Sequence, residues 1–293
     1  MNGSCNVGLI GVGLMGHGIG RNLLRHGHML SFLDHPGNQP VDDLIGESAV
    51  SKQSAREVAE ASEVVILCVT GTPQVEAVLF EPDGVLEGLK QGAIVIDCST
   101  AIPSSTVAIA ERVAERGGRF LDAAMTRTPK EAEEGRLNLL VGASDELFAE
   151  VRPLLESFAE HIVHGGPVGA GHKLKLLHNY VSLGFTAVLA EATATARRAG
   201  IADDAFLEVL GNGGGGGVIL ERLRPFITSE DPSGFRFSLA NTLKDVGYYN
   251  AMAEDLGASR EVAGAIETLY REVNEAGHGE TLVPALIAIL EKR

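Results

Sequence analysis

"NVGLIGVGLMGHGIGRNLLRHGH", residues 6–28, joins a short apolar run, a glycine fingerprint and a segment of helical period. Gly11, Gly13 and Gly16 have the spacing G-x-G-x-x-G directly after the apolar run. In this spacing the first glycine permits a tight turn, the second lets the backbone approach a pyrophosphate, and the third lets the helix pack closely. The N-terminus of the helix adds positive potential. The stretch predicts a βαβ unit that binds a dinucleotide, and a merely glycine-rich turn is the alternative.

Asp34 ends the second apolar run, 18 residues after Gly16. A carboxylate at this point accepts hydrogen bonds from the adenosine ribose hydroxyls and repels a 2'-phosphate. The following segment "DHPGNQPVDD" has no Lys or Arg to receive that phosphate. These features favour NAD over NADP. An aspartate that only caps a turn is the alternative reading.

Apolar runs and helical segments alternate from residue 6 to about 164, as in a doubly wound parallel sheet. The predicted strands are "NVGLI", "MLSFL", "VVILCV", "AIVID", "RFLDA", "LNLLV" and "HIVH". Helix starts are indicated by a capping box of Ser54 with Glu57, by Pro73 and by Pro103. The first domain is therefore predicted to be a Rossmann-type α/β domain at residues 1–168.

From about residue 171 to 291 only helical patterns appear, so residues 169–293 are predicted to form an all-α domain for substrate binding and oligomerisation. Its first helix, 172–199, is rich in Leu and Ala and is expected to be buried on most sides. Such a surface favours a homodimer or homotetramer. The glycine run at 211–218 is expected to be a flexible loop, or alternatively bare backbone that a ligand or partner approaches.

The net charge of -15 opposes binding to nucleic acid and to anionic lipid. No run of about 18 apolar residues predicts a membrane span. The three cysteines, Cys5, Cys68 and Cys98, lie in or beside apolar runs and are expected to be reduced thiols. With no recognisable secretion signal, a cytoplasmic location is expected.

The segment "GHKLKLLHNYVSL" carries the best candidates for chemistry. Lys175 and Asn179 have the i, i+4 spacing that places two side chains on one helix face. A partly desolvated lysine can exchange a proton with a carbonyl or hydroxyl oxygen while hydride moves at the carbon. A surface lysine is the alternative that spacing alone favours. His178 is a further candidate, because an unperturbed histidine side chain can change its charge near neutral pH. No metal-ligand cluster or nucleophilic triad is evident.

Another candidate is the arginine in "AAMTRTP", residues 123–129, at the end of a predicted strand. Arg127 is either a solvated loop charge or a ligand for an anion.

Five segments together resemble the β-hydroxyacid dehydrogenase family, which includes 3-hydroxyisobutyrate dehydrogenase and tartronate semialdehyde reductase. They are "GLIGVGLMGHGIGRNLLRHGH", "IDCSTAIP", "LDAAMTRTPKEAEEGRLNLLVGA", "GHKLKLLHNY" and "TLKDVGYYNAMAEDLG". The resemblance implies reversible hydride transfer between NAD(P) and a small β-hydroxy acid or its aldehyde, with Lys175 catalytic and Asn179 holding the substrate. It implies cofactor contacts at Gly11, Gly13, Leu14, Met15, Gly16, Asp34, Thr70, Thr100 and Lys244.

Two departures from the family pattern bear on the substrate. The family's usual Ser-Gly-Gly is replaced by Thr126, Arg127 and Thr128, and an Asn is replaced by His178. A guanidinium suits a carboxylate, sulfonate or phosphate. The Arg-Thr pair is similar to the family's sulfolactaldehyde reductases, which makes a sulfonate substrate one alternative. Imine reduction and a non-catalytic NAD-binding module are the others, and Lys175 counts against both.

Overall fold

The computed structural model describes residues 3–46 and 49–293. The chain forms two compact units, Met1–Lys175 and Leu176–Arg293. The first unit is α/β and the second is helical, which confirms the predicted fold class. The predicted domain limits, 1–168 and 169–293, stay a prediction.

The first unit contains one eight-stranded sheet in the order β3-β2-β1-β4-β5-β6-β7-β8. The strands are β1 Asn6–Ile10, β2 Met29–Leu33, β3 Val50–Lys52, β4 Val64–Leu67, β5 Ile94–Asp97, β6 Arg119–Thr126, β7 Leu137–Gly142 and β8 Ala159–Gly166. The strand order reverses between β1 and its neighbours β2 and β4. In open α/β sheets this crevice, at the carboxyl ends of the strands, is where ligands bind.

The sheet differs from the expected one in two ways. β7 runs antiparallel to β6, because the connection at 127–136 is shorter than the dozen or more residues that a parallel crossover needs. β3 was not predicted from the sequence. It has three residues, two of them exposed, and therefore lacks the apolar run that marks an interior strand.

Alternate residues of the central strands enter two apolar clusters. Leu9 and Ile66 belong to one cluster, whereas Ile10 and Val65 belong to the other. Because successive side chains of a strand point to opposite faces, the sheet has apolar side chains packed on both faces. This double burial explains why β4 and β5 consist entirely of buried residues.

The helices of this unit are α1 Gly16–Arg25, α2 Asp42–Gly46, α3 Ala55–Ala61, α4 Thr72–Phe80, α5 Val85–Gly88, α6 Pro103–Glu115, α7 Pro129–Glu133 and α8 Asp145–Leu155. α1 follows the glycine fingerprint, and α3, α4 and α6 begin at the starts predicted from Ser54, Pro73 and Pro103. Ser54 caps α3 by accepting a hydrogen bond from the Glu57 N–H at 3.1 Å. The Glu57 carboxylate accepts from the Gln53 N–H at 3.1 Å rather than from Ser54, so the predicted reciprocal capping box is only half formed.

The long helix α9, Ala170–Arg198, begins in the first unit and continues through the second. It is followed by α10 Asp203–Gly211, α11 Val218–Ser229, α12 Leu239–Asp255, α13 Glu261–Val273 and α14 Leu286–Glu291. The glycine run forms the connection between α10 and α11. The core of the second unit includes Tyr270, whose hydroxyl donates to the Leu183 carbonyl at 2.7 Å.

α9 is less enclosed than the sequence suggests. Its side chains Leu177, Val181 and Val188 are exposed, Val181 at 67%. Apolar composition therefore does not distinguish a helix enclosed within its own chain from one with an open apolar face. Within the described residues, no helix has the length and apolar character needed to cross a membrane.

Candidate active site

The glycine fingerprint forms a tight loop between β1 and α1. Gly11 has a φ of +97°, and a Cβ there would lie 2.2 Å from the carbonyl oxygen of Cys68. A Cβ on Gly16 would lie 1.9 Å from the carbonyl oxygen of Gly11, whereas one on Gly13 would meet nothing within 4 Å. Packing therefore requires glycine at 11 and 16, and Gly13 borders open space. The geometry leaves room for a phosphate at the N-terminus of α1.

The rest of the loop is fixed by the segment after β2. The Leu14 side chain is exposed, whereas Met15 packs against the core. Asn38 Oδ1 accepts from the Val12 N–H at 3.3 Å, and its Nδ2 donates to the Leu33 carbonyl at 2.9 Å. Asn38 was missed in the sequence, where it is one of several polar loop residues.

Asp34 lines a cavity of about 360 Å³ beside the end of β2. The lining includes the acids Asp34, Glu81 and Asp83 together with His35, Gln53 and Ser54. No lysine or arginine is among the described residues that line it. An adenosine ribose with free hydroxyls suits this lining, and a 2'-phosphate is opposed by it.

Thr70 and Thr100 lie in neighbouring loops at the carboxyl ends of β4 and β5. The two strands pair in parallel, which brings their ends together. Ser99 Oγ accepts a hydrogen bond from the Val69 N–H at 3.0 Å and so joins the two loops. The structure thus places these two predicted cofactor contacts at one edge of the sheet.

Lys175 and Asn179 both lie in α9, as predicted, and Lys175 is half-buried. Asn179 is buried, and its Nδ2 donates to Asp245 Oδ2 at 2.6 Å. Its Oδ1 is 2.9 Å from Nδ1 of His178, which is otherwise exposed. The Asn179 amide is therefore held in place by groups of the second unit.

Asp245 is the residue of this region that the sequence did not reveal. Its Oδ1 is 3.0 Å from Lys244 Nζ, and the Lys244 ammonium also lies 5.3 Å from the centre of the Tyr248 ring. One carboxylate thus joins Lys244, a predicted cofactor contact, to Asn179, a predicted substrate contact. In the sequence it looks like any acid beside a lysine on a helix.

Arg127 meets a carboxylate, and that carboxylate belongs to the protein. Its guanidinium forms an ion pair with Glu160 at the start of β8 and donates to the Arg136 carbonyl. The hydrogen bond from Arg127, aided by the charge of Arg136, lowers the pKa of Glu160. Arg127 also has a φ of +83°, a conformation that favours glycine. The family's usual Gly at this position has no such strain.

The two threonines beside Arg127 have structural partners. Thr126 Oγ accepts from Asn138 Nδ2 at 3.1 Å across the antiparallel pair of strands. The Thr128 N–H and hydroxyl both donate to Glu131 Oε2, at 3.0 and 2.5 Å, at the start of α7. These bonds lower the pKa of Glu131. The loop that carries Arg127 is thus held on both sides.

A cluster centred on His17 joins α1 to α2 and α7. His17 Nδ1 is 2.8 Å from Glu133 and Nε2 is 3.0 Å from Asp43. Arg21 bridges the same two carboxylates, at 2.9 Å each. Burial opposes protonation of His17, but hydrogen bonds to Glu133 and Asp43 raise its pKa overall. Sequence patterns do not reveal this cluster, because its two carboxylates lie far along the chain from His17 and Arg21.

Within the described residues, no group of three or more His, Cys, Asp and Glu side chains is arranged to hold a metal ion.

Known protein families match nearly the whole chain. A model described as the NAD binding domain of 6-phosphogluconate dehydrogenase matches residues 6–166. A second, described as NAD-binding of NADP-dependent 3-hydroxyisobutyrate dehydrogenase, matches residues 169–290.

Individual relatives agree with the family models. 2-(Hydroxymethyl)glutarate dehydrogenase of Eubacterium barkeri is 30% identical, with coverage of 100% of this chain and 97% of the relative. 3-Sulfolactaldehyde reductase of Escherichia coli is 30% identical, with coverage of 93% and 91%. The crystal structure of 3-hydroxyisobutyrate dehydrogenase from Salmonella typhimurium has a TM-score of 0.85 at 28% identity, covering 98% of this chain and 100% of that one. The chain therefore belongs to the β-hydroxyacid dehydrogenase family of NAD(P)-binding oxidoreductases.

Proposed function

We propose that this protein transfers hydride between NAD(H) and a small anionic β-hydroxy acid or its semialdehyde, with Lys175 as the proton donor and acceptor. The observation that carries the proposal is that one unit contains both the open glycine loop at Gly13 and the half-buried Lys175. Relatives named for hydroxy-acid and aldehyde substrates support the reaction class.

When bound, the nicotinamide cofactor supplies hydride to the substrate carbon or accepts hydride from it. In reduction, the Lys175 ammonium donates a proton to the carbonyl oxygen as negative charge develops there. In oxidation, the neutral amine accepts the hydroxyl proton. Asn179, held by Asp245, is proposed to hydrogen-bond the substrate, with His178 beside it.

NAD is the proposed cofactor, on the basis of the acidic cavity at Asp34. A 2'-phosphate there would approach Asp34, Glu81 and Asp83 with no cation in the described lining to offset their charge. The glycine loop, Thr70, Thr100 and Lys244 are proposed to hold the remaining parts of the cofactor.

Arg127 is proposed to bind the acid group of the substrate, between Thr126 and Thr128. Because Arg127 is already paired with Glu160, the acid group of the substrate must either bind the guanidinium beside that carboxylate or displace it. A carboxylate, a sulfonate and a phosphate each match the guanidinium fork. A sulfolactaldehyde-type substrate is therefore the second candidate, supported by the relative of that name.

We expect the protein to work in the cytoplasm as a homodimer or homotetramer. The exposed apolar side chains of α9, Leu177, Val181 and Val188, support self-association.

The test is a turnover screen with NAD and NADP against small hydroxy acids that end in carboxylate, sulfonate or phosphate, together with their aldehydes. We expect turnover of at least one acid, with NAD preferred by tenfold or more. Tight NAD binding without turnover of any member would favour a non-catalytic module. Turnover of cyclic imines alone would favour imine reduction.

A further inference from the structure

Among the described residues of the first unit, two aspartates and one histidine lie fully buried and take no part in the mechanism above. Asp97 is the last residue of β5, Asp122 lies within β6, and His172 is in the first turn of α9. Each has 0% of its surface exposed. Burying a charged group away from water is unfavourable unless the group has a hydrogen-bond or ion-pair partner. The partners of these three side chains therefore indicate how each of them is stabilised.

Asp122 holds the start of α9. Its Oδ1 accepts from the Gly169 N–H at 2.6 Å and its Oδ2 from the His172 N–H at 2.7 Å. The first N–H groups of a helix lack partners within the helix, and a carboxylate there also interacts favourably with the helix dipole. The helix start is tightly packed, since a Cβ on Gly171 would lie 2.2 Å from the Leu140 carbonyl oxygen.

The hydrogen-bond pattern assigns the protons of the His172 ring. Nδ1 is 2.7 Å from Thr106 Oγ, and the Thr106 hydroxyl donates to the Ile102 carbonyl at 3.1 Å. A hydroxyl has a single hydrogen, so Nδ1 is the donor to Thr106.

On the other side of the ring, Nε2 faces Asp97 Oδ2 at 3.8 Å. Neither atom has a hydrogen-bond partner among the described residues. Two buried acceptors facing each other would be unfavourable, and we therefore assign one proton to the Asp97–His172 pair. Burial raises the pKa of Asp97, whereas the charge of His172 acts in the opposite direction.

Asp97 is also connected by hydrogen bonds to the loops that follow β4 and β5. Its Oδ1 accepts from the Ser99 N–H at 2.9 Å, and Ser99 Oγ accepts from the Val69 N–H at 3.0 Å. These two loops carry Thr70 and Thr100, the proposed cofactor contacts. A continuous series of buried and partly buried contacts therefore runs from these two loops through Asp97 and His172 to α9.

We infer that His172 is a positioning residue for Lys175, fixing the first turns of α9 against the loops that carry Thr70 and Thr100. The two residues are spaced i, i+3, which places them on neighbouring parts of one helix face. A displacement of about 1 Å at a catalytic group lowers the rate by up to about 100-fold. This inference rests on the proposed role of Lys175 in turnover.

The test compares His172→Asn with wild type. The asparagine amide takes the place of Nδ1 and keeps a donor towards Thr106, but does not reach Asp97. We expect kcat to fall by about 10-fold to 100-fold, with KM and the Kd for NADH within about threefold of wild type, because positioning acts on the chemical step. An unchanged kcat in folded His172→Asn would overturn the inference.

A conservative pair tests the proton assignment. In Asp97→Asn, an amide in place of Oδ2 donates to Nε2 of a neutral imidazole, so kcat should stay within about threefold of wild type. Asp97→Ala should lose as much activity as His172→Asn. Equal losses in the two Asp97 variants would contradict the proton assigned to the Asp97–His172 pair.

His164→Asn is the matched control. His164 is a partly buried histidine of the same unit, and its Nε2 contacts the Ala143 carbonyl at 2.9 Å. We expect its kcat to match wild type. A loss as large as that of His172→Asn would mean that any buried histidine of this unit has the same effect, which would overturn the inference.

Amide hydrogen exchange separates this inference from the proposed function. In His172→Asn, exchange should accelerate at residues 169–175 and stay unchanged at the glycine loop, whether or not a substrate has been found. Unchanged exchange at 169–175 would overturn the anchoring role. Absence of turnover in the wild-type protein would instead refute the proposed function.

Discussion

Arg127 combines an unfavourable backbone conformation with a paired charge. Its φ of +83° is a conformation that non-glycine residues adopt rarely, and its guanidinium is held by Glu160. Strained residues cluster at functional sites, where the surrounding structure maintains them. The proposed anion site is thus built around a residue that costs stability, which motivates separate tests of binding and of strain.

Substrate binding distinguishes the two partners of the ion pair. We expect Arg127→Ala to raise KM for the best acidic substrate by about tenfold or more, since charged hydrogen bonds are lost. Glu160→Gln should lower KM, because the competing carboxylate becomes neutral. Steady-state kinetics of both variants provide the measurement. If both variants leave KM unaltered, Arg127 is a structural surface charge.

Backbone strain is measured by comparing Arg127→Gly with Arg127→Ala. Both variants lose the contact with Glu160, but only glycine adopts a positive φ without steric cost. We expect the glycine variant to have a free energy of unfolding about 1 kcal/mol higher than that of the alanine variant. Denaturant unfolding measures the difference. Equal stability would show that the loop relaxes to a negative φ in the alanine variant.

Among the elements, α1 is joined to α2 and α7 by the cluster of His17, Arg21, Asp43 and Glu133. The folded-state pKa of His17 is raised above its ordinary value of about 6.5. Its stabilising contribution is therefore complete below that ordinary pKa and is lost as the pH rises through the folded-state pKa.

The difference in free energy of unfolding between wild type and His17→Gln tests this dependence on pH. Glutamine keeps hydrogen-bonding capacity but does not titrate. The advantage of wild type in free energy of unfolding should be largest near pH 5.5 and should shrink towards pH 8. Urea unfolding across this range measures it. An advantage independent of pH would contradict a charged His17 in the folded state.

The sequence predicted local features well and distant contacts poorly. The fingerprint, the long helix and most strands follow from patterns within a few residues, such as Gly11 to Gly16. β3 is too short and exposed to show a pattern. The pairing of Arg127 with Glu160 joins residues 33 positions apart, and that of Asn179 with Asp245 joins residues 66 apart. No local spacing encodes such contacts. The sequence therefore predicts individual candidate residues of the site but not which protein groups they contact.

At the scale of the whole molecule, the open apolar face of α9 bears on assembly. Val181→Asp places a charge on this face, which includes Leu177 and Val188. We expect it to shift the protein towards monomer by at least tenfold in dissociation constant, because an unpaired charge in an apolar interface is unfavourable. Analytical ultracentrifugation provides the measurement.

The control is Val209→Asp on α10, because Val209 is similarly exposed, at 72%. An equal effect of both variants, or of neither, would contradict an interface at α9.

Lys175 is the proposed acid and base of hydride transfer, and the proposed activity depends on this one side chain. The most direct test measures kcat and the Kd for NADH in Lys175→Met, with Lys173→Met, an exposed neighbour on the same helix, as the control. We predict that kcat falls by about 10²-fold to 10⁴-fold, the usual contribution of such a group, while NADH binding and the Lys173→Met variant stay close to wild type. A Lys175→Met variant with kcat within threefold of wild type would contradict the account.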